Sequence, residues 1–137
     1  MRVKFSDLEM AFIFVSMDPV GMHNAYVDRE TGRIFYSSEM GDSDELPEDI
    51  FENEQYLEIP HKNDLDLGKV LALDFIADRL PDELDKLEAS FRRKGAYARF
   101  KYLLENQGLL DEWYAFEEKR QTEALKKWCR EIELAID

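Results

Sequence analysis

Two stretches of this 137-residue chain depart from average composition in ways that chemistry could use. Ser90 to Leu104 carries Arg92, Arg93, Lys94, Arg99 and Lys101 and no acid, with Phe91, Tyr97, Phe100 and Tyr102 interleaved. Cations beside aromatic rings suit a nucleotide or a single-stranded nucleic acid, the cation meeting phosphate and the ring stacking on a base. The same residues have a structural use. Arg92, Arg93 and Lys94 fall where the last turn of a helix is expected, and cations there offset the helix dipole. Arg99 and Lys101 stand about 200° apart on a helical wheel, so they form no single stripe. The second stretch lies between Arg33 and Lys62, where there are nine acids and no base. That field repels phosphate backbones and attracts a basic protein patch, with Asp42, Asp44, Glu45, Glu48 and Asp49 as the candidate contacts. Solubility accounts for the same charge.

Asp74 and Asp78 form a third candidate. They are four residues apart on a helix whose apolar residues run nearly all the way round, flanked by Val70 and Leu71. Two carboxyls close together in buried surroundings raise at least one pKa and could exchange protons with a substrate. Alternatively, each pairs with an arginine from a following helix, such as Arg92 or Arg99. Metal binding finds no support. Counted from Asp64 as a calcium loop, the fifth, sixth and twelfth places hold Gly68, Lys69 and Phe75, not an oxygen donor, a glycine and a glutamate. From Asp42 the sixth and twelfth places hold Pro47 and Asn53. His23 and His61 lack helical zinc spacing. Cys129 beside Trp128 and Leu125 reads as a small buried hydrophobe, and no Gly-x-Ser-x-Gly elbow occurs. The six glycines are too far apart for a phosphate-binding loop or a dinucleotide fingerprint. No metal or cofactor is expected, and the sequence assigns no catalytic residue beyond the Asp74 and Asp78 candidates.

The elements that must position these groups follow from pattern. Ser6 and Glu9 have capping-box spacing and predict a short helix over 7–15, which Pro19 ends. Residues 24–28 and 33–37, rich in β-branched and aromatic types, flank Arg29-Glu30-Thr31-Gly32 and predict a hairpin. Residues 56–60 alternate and supply a third strand; the acidic loop before it can hold a turn at Glu48 to Phe51. A helix capped at Asn63 or Asp64 is expected to run to Arg79. Pro81 opens another over 82–94, ended by Gly95. A third covers 96–106. The last starts with Asp111 as N-cap and packs the face Tyr114, Gln121, Leu125, Trp128, Ile132, Ile136 inward. Asp111, Glu112, Glu117 and Glu118 open that helix, which excludes reading of duplex DNA. The expected fold is α+β: a small antiparallel three-stranded sheet (hairpin about 24–37 plus strand about 56–60) with an N-terminal helix and a C-terminal bundle of about four helices. One domain spans 1–137, with a sheet-containing acidic half (1–62) and a helical half (63–137).

The net charge is −13. The longest apolar run, Met10 to Val15, is far short of a membrane span. With no signal-peptide pattern and a single thiol, the expected location is the cytoplasm.

Five segments, in this order and spacing, resemble one family. They are Phe5-Ser6-Asp7-Leu8; Ala25-Tyr26-Val27-Asp28 with Thr31-Gly32; Ile59-Pro60-His61-Lys62 running into Asp64-Leu65-Asp66-Leu67-Gly68; Gly95-Ala96-Tyr97-Ala98-Arg99-Phe100-Lys101; and Gly108-Leu109-Leu110-Asp111-Glu112-Trp113-Tyr114-Ala115-Phe116. Together they resemble the bacterial group known as uncharacterised protein family 0158. The resemblance implies a cytoplasmic bacterial domain and carries over no catalytic residue. It points to Tyr97, Arg99, Lys101, Trp113, Tyr114 and His61 as the place where a site would lie.

Two functions are therefore expected. One is a non-enzymatic interaction or regulatory module that meets a basic protein through residues 39–58, or another copy of itself through apolar helix faces. The other is a phosphate-ligand site built from Arg92, Tyr97, Arg99, Lys101 and His61, with Trp113 and Tyr114 nearby.

Overall fold

A computed structural model describes residues 2–17, 22–38 and 44–137. The order is α1 (Phe5–Ser16), β1 (His23–Asp28), β2 (Ile34–Ser38), β3 (Tyr56–Glu58), α2 (Lys69–Arg79), α3 (Leu84–Ser90), α4 (Ala96–Asn106) and α5 (Leu110–Glu131). Single 3-10 turns cover Lys62–Leu65 and Pro81–Glu83. This is the α+β architecture expected: one sheet of three antiparallel strands, an N-terminal helix and four further helices. Contacts gather into two compact units, Met1–Leu65 with Ala124–Asp137, and Asp66–Glu123.

In the first unit the strand order is β2-β1-β3. Tyr26 lies opposite Phe35 and Glu58, and Val27 opposite Ile34 and Leu57. Successive side chains alternate faces, so this register puts Tyr26, Asp28, Phe35 and Tyr56 on one face and His23, Ala25, Val27 and Tyr36 on the other. α1 packs on the second face, where the ring of Phe14 meets His23 and Tyr36 at 4.7 and 5.1 Å. The loop after β2 covers the first, with Phe51 set edge-on against Tyr26 at 5.7 Å. Both faces being covered explains why Ala25 to Asp28 are all buried.

The hairpin loop turns at Gly32, whose φ of +79° an L side chain rarely adopts and whose Cβ would stand 3.3 Å from the Arg2 carbonyl. Asp28 holds the loop. Its Oδ1 accepts the N–H groups of Glu30 and Thr31 and the side-chain amide of Gln55. Val3 forms a parallel bridge with Ile136. α5 ends in a Schellman-type turn, Leu134 N–H to Cys129 O, with Glu133 at φ +57°.

Several local expectations are corrected. Ser6 is not an N-cap: the helix begins at Phe5, and Lys4 O accepts the N–H groups of Asp7 and Leu8. Val3, tied to Ala135 and Asp137, sets where the chain enters. The helix expected from residue 63 starts at Lys69, because Asp66 takes a left-handed φ of +56° and breaks the run. α2 is not buried all round: Leu71, Ala72, Phe75 and Ile76 face inward and Val70 is 45% exposed. The helix expected over 82–94 ends at Ser90, so Arg92, Arg93 and Lys94 lie beyond its last turn. α5 starts at Leu110 and not after Asp111. Its buried residues include Trp113, Leu125 and Cys129, while Tyr114 is 44% exposed. One face of each helix is selected because spacings of three and four repeat there. The apolar residues left over stay in water.

Candidate functional site

The basic-aromatic residues sit in the second unit and do not act together. α4 begins at Gly95, in left-handed conformation at φ +79°. Its missing Cβ leaves room for the Arg99 guanidinium, whose Nη1 would otherwise be 3.2 Å away. Arg99 reaches back over the end of α3. Its Nε donates to Ser90 Oγ (2.7 Å), its Nη2 to the carbonyls of Ser90 (2.8 Å) and Arg93 (3.3 Å), and its Nη1 to that of Lys94 (2.6 Å). These carbonyls lie where α3 ends and the chain turns towards α4; that of Ser90 also accepts the Arg93 N–H, and a planar guanidinium gathers all three in one group. Arg99 is thus a helix-end clamp. Arg99→Ala is expected to cost about 2 kcal/mol in urea unfolding, and Arg99→Lys to recover little, since hydrogen bonds from a charged donor are worth about 1.5–3 kcal/mol each and an ammonium cannot reach four acceptors.

The other residues diverge. Tyr97 packs edge-on against Phe91 at 5.2 Å, and burial, with the Glu117 carboxylate, pushes its phenol above the usual range. Lys101 lies over the Tyr114 ring at 5.7 Å. Arg92 is exposed in the bend after α3. Trp113 is 2% exposed, in contact with Phe75, Phe100 and Phe116. A hollow of about 180 Å³ is lined by Glu83, Lys86, Leu87, Ser90, Arg99, Phe100 and Leu103. Of the predicted set it holds Arg99. His61 belongs to the first unit, where its Nδ1 accepts the Asn63 N–H and its own N–H donates to Asp64.

Asp74 and Asp78 are not a buried pair; both are exposed. Asp74 bonds Arg120 at 3.3 Å and Asp78 bonds Arg79 at 2.9 Å. Arg79 also bonds Glu112 and lies over Phe75, and Arg120 lies over Phe116. The arginines that pair with them are therefore Arg79 and Arg120, neither Arg92 nor Arg99.

The acidic surface is in the first unit. Asp42 lies outside the described residues. Asp44 is exposed yet committed: its N–H donates to Tyr36 O (2.9 Å) and its Oδ2 accepts the Tyr36 N–H (2.8 Å), pairing the outer edge of β2. Asp49 accepts Asn53 Nδ2 at 3.0 Å. Glu45 and Glu48 are exposed, as are Glu52 and Glu54 further along. Within this run Phe51 is 79% exposed at a hollow of about 410 Å³, lined also by Arg29, Ile50, Glu52, Asn53, Glu54, Tyr56 and Leu57. Phe51 was not among the expected site residues. Its signal in the sequence was a large aromatic set beside Ile50 among the acids of an irregular loop.

Among the described residues, no group of three or more His, Cys, Asp or Glu is placed to hold a metal ion. Burial pushes the Cys129 thiol above its usual value, which withholds the reactive thiolate. No described helix is long and apolar enough to cross a membrane.

A family model described as Uncharacterised protein family (UPF0158) matches residues 5–136. The chain belongs to UPF0158. Comparisons with curated proteins and with solved structures found no match. In this UPF0158 chain the segments that carry the resemblance include the Asp28 loop anchor, the Gly95–Arg99 clamp and the Trp113 aromatic cluster.

Proposed function

We propose that this UPF0158 chain is a non-enzymatic docking module whose acidic 44–58 surface receives a basic protein segment bearing an apolar anchor. The observation that carries this reading is Phe51, 79% exposed beside a hollow of about 410 Å³ and bordered by Glu48, Asp49, Glu52 and Glu54. A large aromatic held in water beside a concavity is the usual form of an interface anchor. Surrounding acids steer a basic partner and set its approach rate. Arg99, the cation on which the phosphate-ligand reading leans most, already bonds Ser90, Arg93 and Lys94, which favours docking over that rival.

The test is fluorescence anisotropy with a labelled Lys/Arg-rich peptide carrying one leucine or tryptophan. Phe51→Ala is expected to weaken binding at least tenfold, through faster dissociation, because a central anchor is worth about 2 kcal/mol or more. Glu48→Lys with Glu52→Lys should slow association and flatten its salt dependence. Equal binding by wild type and all variants, or none by any, would defeat the proposal. Thermal stabilisation by a nucleotide that Arg92→Ala or Lys101→Ala abolishes would favour the phosphate-ligand site instead.

A further inference from the structure

The two edges of the sheet are finished differently. On the β2 side the outward N–H and C=O of Tyr36 are both bonded to Asp44. On the β3 side no further strand lies among the described residues. The ladder fixes which groups face outward there. Arg29 N–H donates to Gln55 O and Ile59 N–H to Ala25 O, so Gln55, Leu57 and Ile59 turn their main-chain groups towards β1. Tyr56 and Glu58 alternate with them and turn theirs away. Tyr56 N–H closes the preceding turn on Asn53 O. Tyr56 O, Glu58 N–H and Glu58 O have no hydrogen-bond partner among the described residues. Pro60, at the next outward place, has no N–H, so the open edge stops there. The Phe51 hollow borders this edge: it is lined by both Tyr56 and Leu57, neighbours whose side chains take opposite faces of the sheet.

We propose that the basic segment docks in extended form, adding to β3 as a fourth strand with its apolar anchor beside Phe51. This rests on the docking reading above and specifies the partner's conformation. Main-chain groups select a strand. An open edge bonds another extended chain at every second residue, whereas a helix spends its N–H and C=O groups internally and offers only side chains. Charge selects a basic strand over a second copy. Glu58 is exposed on the edge itself, and Glu52 and Glu54 line the hollow. Two copies joined through β3 would bring these acids together, and like charges across a strand pair destabilise it. Lysine or arginine in an added strand meets them with the opposite sign. The edge is short, so its three main-chain groups set register and direction while the anchor at Phe51 supplies most of the affinity.

The test uses the full chain, isotope-labelled for NMR, and a short peptide in which lysine or arginine alternates with threonine around one central leucine. Amide exchange reads the edge directly. At saturating peptide the Glu58 N–H is expected to exchange at least about tenfold more slowly, while that of Leu57, which already faces β1, changes little. On the peptide, N-methylation at either of two residues spaced i, i+2 should weaken binding about tenfold, and at the residue between them less than about threefold, because Tyr56 O and Glu58 O accept alternate N–H groups. These variants leave the protein itself unaltered. Unchanged Glu58 exchange, or an N-methyl series without alternation, in a complex that Phe51→Ala still weakens would overturn strand addition and leave the docking surface standing. Helical circular dichroism that grows on binding would assign the surface to a helix and equally overturn it. So would Glu58 protection that rises with protein concentration when no peptide is present, which would assign the edge to a second copy. No binding by the wild type removes the docking reading and strand addition with it.

Discussion

Trp113→Ala is expected to destabilise the protein by about 3–5 kcal/mol, the range for removing a large aromatic from a packed core. Trp113 is 2% exposed and meets Phe100 edge-on at 4.8 Å, Phe75 at 5.4 Å and Phe116 at 6.1 Å. Truncation leaves a cavity walled by three rings that cannot all collapse into it. A smaller effect is expected for Trp113→Phe, about 1–2 kcal/mol. The indole Nε1–H is buried with no acceptor among the described residues, and an orphaned donor costs about 1–3 kcal/mol, so removing it offsets part of the lost volume. Urea unfolding of the two variants measures both numbers. A loss under 1 kcal/mol for Trp113→Ala would mean that the side chain is not packed in the core. A ligand role for Trp113 would then be open again.

Asp28→Ala is expected to cost about 2–4 kcal/mol at neutral pH, since a buried carboxylate accepting several hydrogen bonds loses all of them at once. The residue is 6% exposed, and its Oδ1 accepts three N–H groups that close the hairpin loop and tie it to Gln55 beside β3. Burial alone would raise its pKa. The hydrogen bonds from Gln55, Glu30 and Thr31 outweigh burial and hold it below the ordinary value of 3.8. A depressed folded-state pKa means that the unfolded chain takes up the proton first. The stabilisation is therefore complete above pH 3.8 and is lost as pH falls through the lower folded-state value. Asp28→Asn keeps the shape and an acceptor but loses the charge. Its stability deficit relative to wild type should be largest at pH 7 and shrink in strong acid. A deficit independent of pH would show that the charge of Asp28 contributes nothing.

In the proposed docking, the acids of 44–58 would steer a basic partner and set its rate of approach, while the exposed Phe51 would set its residence time.

Local features were legible in the sequence. The hairpin about 24–37 and the strand near 56–60 follow from β-branched and aromatic runs around Gly32, and they appear as β1, β2 and β3. Gly95 and Gly108 bound α4 over residues 96–106 as expected, because helix ends depend on residues within a few positions of them. How the charged and aromatic side chains are used was not legible, because that depends on partners distant in sequence. Helical spacing says that Asp74 and Asp78 share a face; whether anything covers that face depends on the other helices, and they stay in water beside Arg79 and Arg120. Composition marks Arg99 as a cation in a basic run; the end of α3, nine residues earlier, decides that it binds carbonyls. Capping-box spacing suggests that Ser6 caps a helix beginning at Asp7; with Val3 held by residues 135 and 137, the helix begins two residues sooner, at Phe5. Sequence alone thus determined the elements and the charge, which are sums over neighbours, and only tertiary structure decided burial and partnership, which are set by what the chain brings back from far away.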